Sequence, residues 1–134
     1  MMIPVGWRRA KKRAPMGATE LMVDVSNPRD PRRSEAVRML VDSGASWSVV
    51  PATMLRRLRI RPLRLETFDL ADGTEVERAV GSAEFGVAGR RGASMVVFGK
   101  RGDACLLGVV TLEELGLVLD PLRRRLRPLR LRFG

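Results

Sequence analysis

Hydrophobic and polar positions alternate from the first stretch of the chain that reads as regular structure. Across residues 20–26, Leu21, Val23 and Val25 fall on one side and Met22, Asp24 and Ser26 on the other, the two-residue period of a half-buried strand. Asn27-Pro28-Arg29-Asp30-Pro31 is a turn signal, and the apolar-rich stretch 35–42 predicts the second strand of a hairpin, delivering Asp42 at its end. Pro51 suits the first turn of a short helix through Ala52, Met54, Leu55 and Leu58, which Pro62 keeps from extending. Residues 65–70 and 74–80 read as extended stretches joined by Asp72-Gly73, a favoured tight-hairpin turn. Further extended pieces are expected at 82–87 and 94–98, with a Gly- and Arg-rich turn at 88–92 between them. A second turn at 99–103 leads into Cys105-Leu106-Leu107-Gly108.

Thr111 and Glu114 have the spacing of a capping box, with Thr at the cap, and Gly116 is placed to close that short helix. Residues 117–119 read as extended again and Asp120-Pro121 as a turn. Leu129, Leu131 and Phe133 then alternate with Arg130 and Arg132, so the tail 123–134 is expected to be a terminal strand with one apolar face. Residues 1–19 are basic, carry Gly and Pro and show no period, which predicts a flexible arm. The pattern as a whole predicts one mostly β domain over 20–134 with two short helices.

Composition narrows the chemistry. A length of 134 residues allows one core and not two, and aromatics at 4% leave Val, Leu, Ala and Met to fill it. The chain has no histidine, which excludes Ser-His-Asp and Cys-His catalysis and histidine-based zinc sites; no metal or cofactor is expected. The single Cys105, beside Leu106 and Leu107, reads as a small buried hydrophobe and fits a reducing cytoplasm. No apolar run reaches the length of a membrane span, and no apolar region follows the basic start as a secretory signal requires. The net charge of +10 comes from 25 basic residues, 22 of them Arg. None of the basic stretches is interleaved with aromatics like a base-stacking surface, so a solvated Arg-rich surface is favoured over a nucleic-acid partner.

Asp42 is the residue with the most chemical potential. It follows Met39, Leu40 and Val41, which places a carboxylate at the end of a core strand, where it is costly unless hydrogen-bonded or partnered. Ser43 adds a hydroxyl, Gly44 lets another backbone approach, and Ala45 is small. Taken alone, Asp-Ser-Gly reads rather as an Asp capping the turn at a strand's end, with Ser and Gly as ordinary turn residues.

Three segments together say more. LVDSGASWSVVP (residues 40–51) resembles the active-site strand and loop of retropepsin-like aspartic proteases, LADGTEVERAVG (70–81) resembles the flap hairpin of small bacterial members, and LLGVVTLEELGLVLDP (106–121) is similar to their second signature. The resemblance spans roughly residues 20–129. It implies a single-lobe closed β-barrel or sandwich, active as a homodimer, and an aspartic endopeptidase with a peptide or protein substrate. In that scheme Asp42 is the catalytic carboxylate, one from each subunit, sharing a proton and activating a water. Ser43, Gly44 and Ala45 support the active-site loop, and the Ser43 hydroxyl would bond across the dimer axis. Ala71, Asp72, Gly73 and Thr74 would form the flap tip over the substrate, and Leu107 and Gly108 would pack beneath the loop. Ser replaces the more usual Thr after the Asp, and Ser46 stands where retroviral enzymes carry a second Asp. Two other readings stay open: an idle dimerisation or peptide-binding module of the same fold, and a basic nucleic-acid-binding protein.

Overall fold

The computed structural model describes residues 19–134; the expected arm over 1–19 lies, but for Thr19, outside the described residues. Nine strands and two short helices follow in chain order. They are β1 (Thr19–Asn27), β2 (Asp30–Val41), β3 (Ser48–Pro51), α1 (Ala52–Arg57), β4 (Arg64–Asp69), β5 (Glu75–Val87), β6 (Arg90–Gly99), β7 (Leu106–Leu107), α2 (Val109–Glu114), β8 (Leu117–Asp120) and β9 (Arg125–Pro128). Seven strands form one sheet in the order β1-β2-β7-β3-β6-β5-β4, and β1 also pairs with β5, so the sheet closes on itself with β4 attached outside the ring. β8 and β9 make a separate antiparallel pair. Among the described residues the architecture is the mostly β closed barrel with two short helices expected from the sequence.

Most ring neighbours are antiparallel, but β7 runs parallel to β2 and β3 runs parallel to β6. These strands are buried on both faces, so their apolar residues come in runs (Met39-Leu40-Val41, Val49-Val50, Val96-Val97-Phe98, Leu106-Leu107) rather than alternating. One face of each run feeds a large cluster with Val23, Val25, Met39, Val50, Phe85, Val96 and Leu107; the other feeds a smaller one with Leu40, Ala45, Val49, Phe68, Val97 and Leu106. Each fully buried Val, Leu or Phe contributes about 1.5–3 kcal/mol relative to exposure, so the strand leading to Asp42 is fixed from two sides.

Several expectations are refined. β2 begins at Asp30, well before the apolar stretch at 35–42, because register pairing with β1 runs continuously from Val41 back to Ser34. The stretches at 74–80 and 82–87 are a single strand, β5, passing through Gly81. A side chain at Gly81 would meet the Arg61 carbonyl at 2.9 Å, so the glycine marks a close crossing rather than a break. Pro51 is the cap of α1, one position before its first turn. Asn27, at the β1–β2 turn, donates from Nδ2 to the carbonyls of Leu58 (2.9 Å) and Arg59 (3.1 Å) and so ties off the end of that helix.

Two expectations change more. α2 begins two residues before Thr111: Gly108 is its cap, and Thr111 is a fully buried residue inside the helix. The capping-box spacing is present, but β7 hands the chain directly into the helix and leaves no room for Thr at the cap. Gly116 does close α2, at φ +68° with its N–H donating to the Glu113 carbonyl (2.9 Å). In the tail, strand pairing is confined to Arg125–Pro128; among the described residues the alternating positions beyond it have no strand partner, and Leu131 (69%) and Phe133 (fully) are exposed.

Candidate active site around Asp42

Asp42 stands one residue past β2, and its backbone N–H donates to the Leu107 carbonyl (3.2 Å), which holds the strand end against β7. Its side chain then turns the chain. Oδ1 accepts the Gly44 N–H at 2.8 Å, and the Asp42 carbonyl accepts the Ala45 N–H at 3.1 Å. The second carboxylate oxygen, Oδ2, is buried and has no hydrogen-bond partner among the described residues. A buried carboxylate oxygen without a donor is destabilising by more than an ordinary hydrogen bond is worth. Nothing in the turn itself requires Asp to be oriented this way, since one oxygen already completes it.

The loop after Asp42 is clamped from beneath. Ala45 is buried, whereas Ser43 and Gly44 are exposed. The first N–H groups of α2 donate to the loop carbonyls, Val109 to Ala45 and Val110 to Ser46, both at 2.9 Å. These are donors that no intrahelical carbonyl can satisfy, so the helix start and the loop complete one another. Gly108 lies so close that a Cβ there would sit 2.6 Å from the Trp47 carbonyl carbon and 2.7 Å from the Ser46 oxygen. Below them is a chain of buried hydroxyls: Ser48 Oγ accepts the Gly108 N–H (2.9 Å) and lies 2.6 Å from Thr111 Oγ1, which donates to Ser94 Oγ (3.2 Å). The structure thus brings Asp42, Ala45, Leu107 and Gly108 together.

The flap residues form a different assembly. The last pair of β4 and β5 is Asp69 with Glu75, so the tip is a five-residue loop, not the two-residue turn expected at Asp72-Gly73. Leu70 N–H donates to the Thr74 carbonyl (2.7 Å), and Asp72 Oδ1 accepts both the Thr74 N–H (3.0 Å) and its hydroxyl (2.6 Å). The Thr74 hydroxyl, chiefly, with the Thr74 N–H, holds the Asp72 carboxyl below its ordinary range. Ala71, Asp72, Gly73 and Thr74 are all exposed. What joins the flap to the active-site loop lies lower: Phe68 of β4 meets Trp47 edge-on with ring centroids 5.9 Å apart, in the smaller apolar cluster that also holds Ala45, Leu70 and Val76. The Arg64 guanidinium lies over the same Trp47 ring at 5.9 Å. At the base of the flap, Arg78 of β5 makes a two-pronged pair with Asp103 (2.7 and 3.0 Å), both side chains largely buried.

Sequence reasoning missed Trp47, Phe68, the Ser48–Thr111–Ser94 hydroxyls and the Arg78–Asp103 pair. Each depends on contacts between segments at least 17 residues apart, and the only advance signal was a polar residue inside an apolar run, as Ser48 is before Val49-Val50. Ser43 borders an apolar hollow lined also by Val109, Leu112, Leu117, Leu119 and Leu129, with Glu113 at its edge.

Comparisons with known proteins give the chain's family and fold. The family model for "gag-polyprotein putative aspartyl protease" matches residues 33–114, which contain Asp42, the whole flap and α2. Among solved structures, EIAV protease in complex with the inhibitor HBY-793 is similar at 20% identity, with a TM-score of 0.54 over 77% of this chain and 92% of that one. The solution structure of simian foamy virus (mac) protease is similar at 22% identity and a TM-score of 0.47, over 71% of this chain and 92% of that one. No curated protein matches the chain.

Proposed function

The chain belongs to the gag-polyprotein aspartyl protease family, and from that premise we propose that it is an aspartic endopeptidase whose active site is built from Asp42 of two copies of the chain. The observation that carries this reading is the unpartnered, buried Oδ2 of Asp42, beside a carboxylate oxygen that already has its donor. A second carboxyl group sharing a proton is the partner that would satisfy it. One subunit has a single Asp-Ser-Gly, so that second group comes from a symmetry mate.

Two carboxylates side by side cannot both ionise cheaply, as is general for aspartic proteases, so the pair holds one proton between them. The ionised Asp42 removes a proton from a water molecule as its oxygen attacks the scissile carbonyl carbon. The protonated Asp42 of the other subunit gives its proton to the carbonyl oxygen, forming a tetrahedral diol. Collapse of the diol breaks the C–N bond as a carboxyl proton passes to the leaving amine and a diol hydroxyl gives its proton to the ionised carboxylate, so the pair again holds one proton. Gly44 and Ala45 keep the loop thin enough for the two Asp42 residues to meet, Ser43 bonds across the axis, and Leu107 and Gly108 hold the loop level from below. Ala71, Asp72, Gly73 and Thr74 close over the peptide and exclude water. The reading places the protein in the cytoplasm, with the domain spanning 20–134.

The test is cleavage of a peptide library at mildly acidic pH by the wild type beside Asp42→Asn. The substitution should lower the rate by about 10²–10⁴-fold or more while the dimer stays folded, and cleavage that survives it sinks the assignment. Binding of peptides without cleavage by the wild type would favour the idle peptide-binding module instead.

A further inference from the structure

The positive charge of the chain is not spread over its surface. Residues 19–120 carry 14 basic and 15 acidic side chains, a net of −1; residues 1–18 carry 5 basic and none acidic, and residues 121–134 carry 6 basic and none acidic, which together give the net +10. A genome that prefers Arg codons accounts for Arg in place of Lys; it does not account for a neutral body beside a segment of unbroken positive sign. Among the described residues the ion pairs separate in the same way. Arg32, Arg33, Arg57, Arg64, Arg78 and Arg91 of the body each have a carboxylate within 4 Å, and no ion pair involves Arg123, Arg124, Arg125, Arg127, Arg130 or Arg132.

Four of these arginines, Arg123, Arg124, Arg125 and Arg127, stand on the turn and strand of the β8–β9 pair, and Arg130 and Arg132 follow directly after it. Asp120 Oδ1 accepts the N–H groups of Leu122 (3.1 Å) and Arg123 (3.2 Å) and turns the chain into β9. β9 pairs with β8, Leu126 packs on the main core, and the Leu129 N–H donates to the Gly116 carbonyl (2.8 Å). The arginines are all exposed, and with them stand Leu122 (93% exposed), Leu131 (69%) and Phe133 (fully). The surface is therefore cationic and apolar at once.

We propose that the segment 121–134 is a docking surface for an anionic lipid membrane, with the arginines at the headgroups and Leu122, Leu131 and Phe133 in the acyl boundary. Exposed apolar side chains next to unpaired arginines are satisfied together only by a surface that offers both negative charge and an apolar interior. A nucleic acid would take the arginines and leave Leu122 and Leu131 in water, and Phe133 is the segment's sole ring for stacking on bases. A second copy seated tail to tail would bring its own arginines against these, like charge against like, and a tail seated on a partner's body would meet a surface of net charge −1, far short of six arginines.

The experiment is co-sedimentation of the full chain with phosphatidylcholine vesicles, with and without roughly one-third phosphatidylserine, at low and high salt. The wild type should bind the anionic vesicles and not the neutral ones, and high salt should release it. Leu131→Ser with Phe133→Ser should weaken binding by roughly tenfold or more with the charge unchanged, and Arg130→Gln with Arg132→Gln should weaken it comparably. Absence of binding to anionic vesicles overturns the proposal, as does equal binding by the serine variant. So does a single-stranded oligonucleotide that holds wild type and serine variant alike and strips the wild type from vesicles, because the partner is then a nucleic acid. Sedimentation velocity supplies the last arm: the serine variant should keep the wild-type oligomeric state, and its dissociation to monomers would assign Leu131 and Phe133 to self-association instead.

Discussion

The loop after Asp42 and the flap tip are both tight turns rich in small residues, yet they are held in opposite ways. The Asp42 loop is supported from below by two N–H donors of α2, by the close approach of Gly108 and by three buried hydroxyls. The flap tip has Asp72 bonded to Thr74, two backbone bonds and open water around every residue from 71 to 74. One turn is fixed by tertiary packing, the other only by itself. On the proposed function, that division suits a catalytic carboxylate that must not move and a cover that must.

Substitutions should separate the two turns. The largest effect is expected at Gly108→Ala, where the new methyl would meet backbone atoms of Ser46 and Trp47 below 3 Å. Backbone cannot rotate away as a side chain can, so about 3 kcal/mol or more should be lost, read as a lower denaturant midpoint. A loss below about 0.5 kcal/mol would mean that the loop is not clamped there. Next is the flap root. Asp103→Ala would leave Arg78 charged and largely buried, at a cost of roughly 3 kcal/mol in the same measurement. Arg78→Met combined with Asp103→Leu should recover most of it, and failure to recover would show that the charges themselves are needed.

The third effect is smaller. Thr111→Val removes the hydroxyl that joins Ser48 to Ser94 and leaves their shape unchanged, so about 1–2 kcal/mol should be lost. The smallest effect belongs to the flap tip. Thr74→Val should leave the melting temperature unchanged, because the tip is exposed and off the core, and on the proposed function it should raise KM more than it lowers kcat. The pH dependence follows from the same bond. The Asp72 carboxyl is held below its ordinary value of 3.8, so its contribution to tip order is present above that value and lost as pH falls through the lower folded-state value. Amide exchange at Gly73 and Thr74 should rise at the acidic end in the wild type and not in Asp72→Ala, where it should be fast throughout.

Legibility in the sequence follows the same line. β1 and the closing Gly116 were readable because a two-residue period or a single glycine decides each locally. Asp42 at a strand end was readable for that reason too, and the resemblance of three segments supplied its setting. β6 was read only over 94–98, since its first residues, from Arg90, fall in the Gly- and Arg-rich stretch expected to be a turn. β3 was not marked as a strand, because Ser48-Val49-Val50 is buried on both faces and gives no alternation. Thr111 was misplaced because a capping box records only spacing, while its hydroxyl is committed to Ser48, 63 residues away. The tail's alternation is real, but past Pro128 no strand among the described residues pairs with it, and a period alone cannot supply one.

The central claim is that Asp42 is half of an active site. It is tested most directly by mixing subunits: a fixed amount of wild type is refolded with increasing Asp42→Asn chain and its peptide cleavage is followed. If each site needs both carboxylates, mixed dimers are inert, and an equal amount of variant should cut the activity to about half and a threefold excess to about a quarter. Activity that stays constant as the variant is added would show that a single Asp42 suffices, and would contradict the account.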